Sequence, residues 1–105
     1  MGKTYQFNSH RLEAWEVAET CVVCGSPFVQ HHHIFHGSHR RKFADRYGYI
    51  IPLCMDHHVG ANGIHQVKNR KYDLFWKREA QKHYEQYYGS REDFIRECGK
   101  SYLED

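Results

Sequence analysis

Four cysteines and ten histidines in 105 residues make an unusual density of metal-ligand side chains, and most of them fall between residues 21 and 65. The group opens with Cys21-Val22-Val23-Cys24 and runs through His31-His32-His33-Ile34-Phe35-His36. It closes with Leu53-Cys54-Met55-Asp56-His57-His58 and Gly63-Ile64-His65. Soft ligands paired at this spacing are the form of a structural zinc site, a closed tetrahedron of thiolates and imidazoles. Cys21, Cys24, Cys54 and His57 supply three thiolates and one imidazole, enough for one Zn²⁺. The competing reading of Cys-x-x-Cys is redox chemistry, but no βαβ pattern surrounds it. One zinc leaves His32, His33, His58 and His65 unused. A small chain with a zinc staple and spare imidazoles has the makings of a second, chemical site.

The elements that must position these residues are short. Residues 28–33 suit a strand. Residues 49–53 (YIIPL) suit a second, with Pro52 restricting it to an edge or an end. A short helix should start at Cys54 or Met55 and stop near Gly60, which makes a ββα unit. The basic connector 37–47 has room for a helical turn or more. Residues 10–19 suit a short N-terminal helix, with Leu12 and Trp15 on neighbouring turns. Beyond Gly63, Tyr72, Phe75, Trp76, Ala80, Tyr84 and Tyr87 recur at three and four residues, the core face of an amphipathic helix ending at Gly89. Ser90 with Asp93 resembles a capping box, and Phe94, Ile95 and Cys98 form the buried face of a last helix stopping at Gly99. The aromatic stripe is better read as packing than as a base-stacking surface. The expected fold is α+β and a single domain over 1–105, with a zinc-stapled core over 21–66 and a helical region over 67–103. A chain this short has a small core, which a structural metal would support.

Charge is uneven. The formal net charge is +2, yet residues 36–82 carry ten Lys and Arg against four Asp and Glu. A basic middle that also holds the histidines points to a polyanion, nucleic acid above all, rather than to ordinary surface fluctuation. Arg40, Arg41, Lys42 and Arg46 follow the first strand directly and are placed to grip phosphates, with Lys68, Arg70 and Lys71 extending the track. No base-specific recognition helix is visible. Three cysteines in metal-ligand spacing, with Cys98 alone, are poor material for a disulfide framework and point to a reducing compartment. No signal peptide or membrane span is visible, so a cytoplasmic protein is expected.

The order Cys-x-x-Cys, His-His-Ile at a strand end, then a hydrophobic strand closing in Leu-Cys-x-x-His-His, resembles the HNH endonucleases of the ββα-metal (His-Me finger) class. The stretch HHHIFHGSHRRK…YGYIIPLCMDHH…NGIHQ is similar to small HNH-type proteins of phages and prophages, whose setting is a bacterial host cytoplasm. The likeness covers residues 21–66 clearly and the C-terminal helices more loosely. The resemblance implies that His33 is the general base, that His32 and His58 hold a catalytic divalent cation, and that His57 keeps a zinc role where the family usually has Cys. The middle Asn of the HNH motif is missing: Tyr49 stands in its place, so another group, a backbone carbonyl for example, would have to fix the His33 tautomer.

The chemistry fits these roles. Phosphodiester hydrolysis needs a base near neutral pKa and a cation to stabilise the leaving oxygen. Adjacent strand residues face opposite ways, so His32 and His33 reach one point only at a strand end or bulge. His31 with His33 on one face is the competing register. His65 joins the cation site if Gly60 and Asn62-Gly63 turn the chain back, and otherwise is a surface histidine. His36 and His39 are expected to support the loop or touch phosphate. An all-imidazole site favours Mn²⁺, Ni²⁺ or Zn²⁺ in affinity, while Mg²⁺ is more freely available in cells. The function expected is a metal-dependent DNA endonuclease acting on duplex or branched DNA. The alternative is a non-catalytic zinc module that binds nucleic acid or a protein. The oligomeric state is not legible.

Overall fold

Alternation decides the first element. In β1 (Val29–His33), His32 points inward and is 1% exposed, whereas His31 is exposed and His33 half-buried. β2 (Ile50–Cys54) is buried along its whole length, as its unbroken apolar run requires. The computed structural model describes residues 20–103, and in it β1 and β2 form a two-stranded antiparallel sheet, from Val29 opposite Cys54 to His33 opposite Ile50. Ile34 continues the ladder by donating its N–H to the Tyr49 carbonyl at 3.0 Å. Pro52 is tolerated because in a two-stranded sheet every strand is an edge. Its carbonyl accepts the Val22 N–H at 3.1 Å, which docks the Cys21–Cys24 turn onto the sheet.

The segment between the strands is more ordered than a connector. It forms the ten-residue helix α1 (Ser38–Tyr47). Gly48 ends it at φ 73°, a left-handed conformation that suits glycine, and returns its N–H to the Ala44 carbonyl. Phe43 faces inward, with ring centroids 5.4 Å from Phe35, 5.3 Å from Phe94 and 5.9 Å from Tyr49. Burying an aromatic ring of this kind contributes ~1.5–3 kcal/mol, so this cluster holds the sheet, α1 and the C-terminal helices together.

α2 (Met55–His58) is a single turn. A 3₁₀ turn, Val67–Asn69, leads into α3 (Arg70–Tyr87), and α4 (Arg91–Cys98) completes the described chain. The capping box is present: Ser90 Oγ accepts the Asp93 N–H at 3.1 Å while Asp93 Oδ2 accepts the Ser90 N–H at 2.9 Å. Gly99 ends α4, as the sequence indicates. On α3 the inward stripe is Trp76, Ala80, His83 and Tyr84. Phe75 and Tyr87, expected on the core face, sit at its margins about half exposed, because the buried arc is centred one residue further round the helix. On α4, Phe94 and Cys98 are fully buried and Ile95, expected beside them, is 38% exposed.

α4 is tied to α1 by polar contacts. Arg40 Nε donates to the Cys98 carbonyl at 3.0 Å. Glu97 accepts from the Tyr47 hydroxyl at 2.8 Å and the Tyr84 hydroxyl at 2.5 Å, and pairs with Arg46 at 3.0 Å. The helix expected over residues 10–19 lies outside the described residues. Among the described residues no helix is long and apolar enough to cross a membrane.

Candidate metal centres

The first centre is built by two turns and a strand end. Cys21 and Cys24 share a tight turn in which the Gly25 N–H reaches the Cys21 carbonyl at 2.9 Å. Cys54 closes β2, and His57 stands one turn along in α2. Cys24 Sγ lies 3.7 Å from Cys54 Sγ, and His57 Nδ1 lies 3.1 Å from Cys54 Sγ and 3.9 Å from Cys21 Sγ. Ligands ~2.3 Å from a common tetrahedral centre are ~3.8 Å apart, so these spacings bracket those of one zinc-sized cation. The four ligand atoms all lie within 4.8 Å of one another. Burial pushes the Cys21 thiol up, but hydrogen bonds from the Cys54, Cys24 and Val23 backbone and the Cys24 side chain outweigh it and set it at about 7. Cys21 therefore ionises readily near neutral pH, while Cys24 shifts the other way: the Ser26 backbone lowers it, but desolvation and the Cys54 and Cys21 sulfurs outweigh that.

The second centre contains only imidazoles. His32 projects from β1 into a group of three more rings, with centroids 5.2 Å from His36, 5.2 Å from His58 and 5.1 Å from His65. One nitrogen each of His32, His36 and His65 lies within 4.8 Å of the others. His36, expected to serve the loop, thus stands beside the residues the motif selected. His65 arrives because the chain turns back after α2. The Gly63 N–H bonds to the Gly60 carbonyl at 3.0 Å, and the Ile64 N–H to the His57 carbonyl at 2.9 Å. A Cβ on Gly63 would meet the His58 carbonyl oxygen at 2.6 Å, so the return is open to glycine alone. Asn69 Nδ2 ties the turn down through the Gly63 carbonyl at 2.8 Å.

Burial and mutual repulsion disfavour the charged form of His32, His58 and His65. Burial, then the neighbouring His36, His65 and His58, lowers His32 to about 3. Burial, then His65, His36 and His33, lowers His58, and burial, then His36, lowers His65. His32 Nε2 is buried with no hydrogen-bond partner among the described residues, a costly state for a polar atom that nothing binds. His58 Nδ1 lies 2.7 Å from Gln30 Oε1. The amide oxygen only accepts, so His58 carries its proton on Nδ1 and keeps Nε2 as its lone-pair nitrogen. His36 Nε2 is 3.7 Å from Asp73 Oδ1, and Asp73 is held by Lys77 at 2.7 Å. Clustered imidazoles, an orphaned buried nitrogen and an outer group that fixes the His58 tautomer are a donor set suited to a divalent cation of borderline softness.

These rings line a cleft of about 360 Å³ with His31, His33, Phe35, Gly37 and Arg41. His33 is the last residue of β1, followed by a bend, so it shares the cleft with His32 although the two alternate across the strand. His33 Nε2 lies 2.7 Å from Asp45 Oδ1 on α1. The four basic residues of α1 divide. Arg41 lines the cleft and Lys42 is exposed, whereas Arg40 and Arg46 are turned to α4. Tyr49, in the place of the motif's Asn, is buried, with its hydroxyl 3.0 Å from His83 Nδ1.

Sequence reasoning missed Gln30, Asp45 and Asp73. Asp45 left a signal, as the lone acid among Arg40, Arg41, Lys42 and Arg46. Gln30 left a weaker one, two residues from His32 on the same strand face. No known family model, no curated protein and no solved structure matches this chain.

Proposed function

We propose that the protein is a metal-dependent endonuclease of the HNH type, with residues 21–66 as a ββα-metal core stapled by zinc at Cys21, Cys24, Cys54 and His57. The observation that carries this reading is the buried, unpartnered His32 Nε2 among the rings of His36, His58 and His65, in the same cleft as His33. A zinc-binding module without chemistry has no use for that arrangement. In this reading His32, His58 and His65, with His36 beside them, hold the second cation. When bound, that cation supplies charge stabilisation at a phosphodiester's leaving oxygen.

The chain's own residues do the rest. His33 faces the cleft and takes the proton of a water there as general base. Arg41 meets the anionic phosphate, and Lys42 adds to the positive rim. The basic surplus over residues 36–82 favours DNA as the substrate. All-nitrogen ligation ranks Mn²⁺, Ni²⁺ and Zn²⁺ above Mg²⁺ in affinity.

The test is nicking of supercoiled plasmid with each of these metals, wild type against His33→Ala. Loss of the base is expected to lower the rate by about 10²- to 10⁴-fold. A wild type that cuts nothing with any metal overturns the reading and leaves a zinc-stapled binding module in its place.

A further inference from the structure

The His33–Asp45 contact joins two elements at the mouth of the cleft. Asp45 is twelve residues from His33 in sequence and sits in the last turns of α1, on the face that carries Arg41 one helical turn earlier. Its carboxylate is flanked in sequence by Arg41, Lys42 and Arg46, yet it reaches 2.7 Å from His33 Nε2. Arg46 meanwhile pairs with Glu97. Tyr49, in the place of the HNH asparagine, directs its hydroxyl to His83.

We infer that Asp45 is a positioning residue that fixes the tautomer and orientation of His33. The inference rests on the endonuclease reading for its effect on rate. An ionised carboxylate has no proton to donate, so the proton in this contact belongs to His33 Nε2. Nδ1 is then the nitrogen with a lone pair, the one able to accept a proton from water. Without the carboxylate a neutral imidazole divides between two tautomers and rotates about its side-chain bonds, and only part of the population presents the accepting nitrogen correctly. The negative charge also favours the imidazolium that forms once the proton has moved, as the third member of a catalytic triad does. The carboxylate side chain is 57% exposed. An ion pair in that setting adds little to stability, so Asp45 can be replaced without unfolding the domain.

The experiment compares wild type, Asp45→Ala and Asp45→Asn in the zinc-loaded protein. Long-range ¹H–¹⁵N correlation of the ring nitrogens, at a pH of about 8 where imidazole is neutral, reads the His33 tautomer. Plasmid cleavage reads kcat and KM, and calorimetry reads divalent-metal affinity. Wild type is expected to hold the Nε2–H tautomer. Asp45→Ala should show mixed tautomers and a kcat lowered by at least about 10-fold, the low end for groups that orient a metal-bound histidine, with KM and metal affinity unchanged. Asp45→Asn, whose side-chain oxygen still accepts from Nε2–H, should keep the tautomer and recover part of the rate. If wild type cuts and Asp45→Ala cuts as well, the inference is wrong and the endonuclease reading stands. If wild type cuts nothing, that reading falls and the tautomer alone decides: a shift in Asp45→Ala upholds the positioning role, and no shift overturns it.

Discussion

Replacing Cys24 with serine removes a metal ligand and almost no packing, because Cys24 is the exposed member of the Cys₃His group while Cys21 and Cys54 are buried. The substitution therefore reads the value of the metal and not of a cavity. A cation bound to all four ligands joins Cys24 to Cys54, thirty residues away. Cross-linking a loop of that length removes ~3–4 kcal/mol of chain entropy from the unfolded state. In a domain of this size, where 1 kcal/mol moves the midpoint by several degrees, that corresponds to a melting temperature lower by about 15–25 °C. The assay is thermal unfolding followed by circular dichroism, with zinc buffered and with zinc chelated, alongside metal analysis. Wild type should lose the same 15–25 °C on chelation, and the variant should melt near the chelated wild type under both conditions. A Cys24→Ser chain that binds no zinc yet melts with zinc-loaded wild type refutes the reasoning, and so does a wild type indifferent to the chelator.

Three more outcomes are expected. His58→Ala should weaken divalent-metal binding at the imidazole cluster, seen by calorimetry, with excess Mn²⁺ restoring part of the cleavage rate and zinc content intact; unchanged affinity would remove His58 from the site. Burial holds His32 at about 3 when folded, against 6.5 for an ordinary histidine, so as pH falls from about 6.5 toward 3 the unfolded chain takes a proton that the folded chain refuses. Wild type should then lose stability relative to His32→Leu as pH falls below about 6.5, measured by urea unfolding with zinc chelated from both so that ligand protonation does not enter, and parallel curves would count against a buried neutral His32. Arg41→Ala should flatten the dependence of log K on log salt for duplex DNA by roughly 0.9, whereas Arg46→Ala, which breaks a contact to Glu97, should leave that slope alone; the reverse result would move the phosphate path away from the cleft.

Features set by local spacing were legible in the sequence. The Cys-x-x-Cys and Cys-x-x-His pairs, the two strands and the Ser90–Asp93 box depend on neighbours a few residues apart. The histidine cluster was legible in part: the rings of His32, His58 and His65 are neighbours and the Asn62-Gly63 turn brings His65 back, but the nitrogens close enough to share an ion are those of His32, His36 and His65, and nothing in the sequence set His36 apart from His39. Contacts between side chains on different elements were not. Asp45 meets His33 only because α1 runs for ten residues and packs beside β1, and the connector's composition did not specify that length. Gln30 and Asp73 are ordinary polar residues until the sheet and α3 bring them to His58 and His36. Arg40 and Arg46 looked identical to Arg41 in a basic run, and only the position of α4 separates them. The margin of α3 was misjudged at Phe75 and Tyr87 because spacing alone fixes a helical stripe only to within about one residue.

The single turn α2 carries His57 and His58 side by side, one a member of the thiolate group and the other a neighbour of His32. A four-residue turn has little room to move one without the other. If both centres fill, their occupancies are therefore linked, and whatever free energy zinc lends to the second cation, that cation must lend back to zinc. The order of loading then follows from ligand type. Thiolates suit zinc better than neutral imidazoles do, so the Cys₃His group would fill first and fix α2. The imidazole cluster would then be completed in a chain that already holds its first metal. Scarcity of zinc would thereby silence the cleft even with the other cation in excess, making the domain responsive to two metals through one turn of helix.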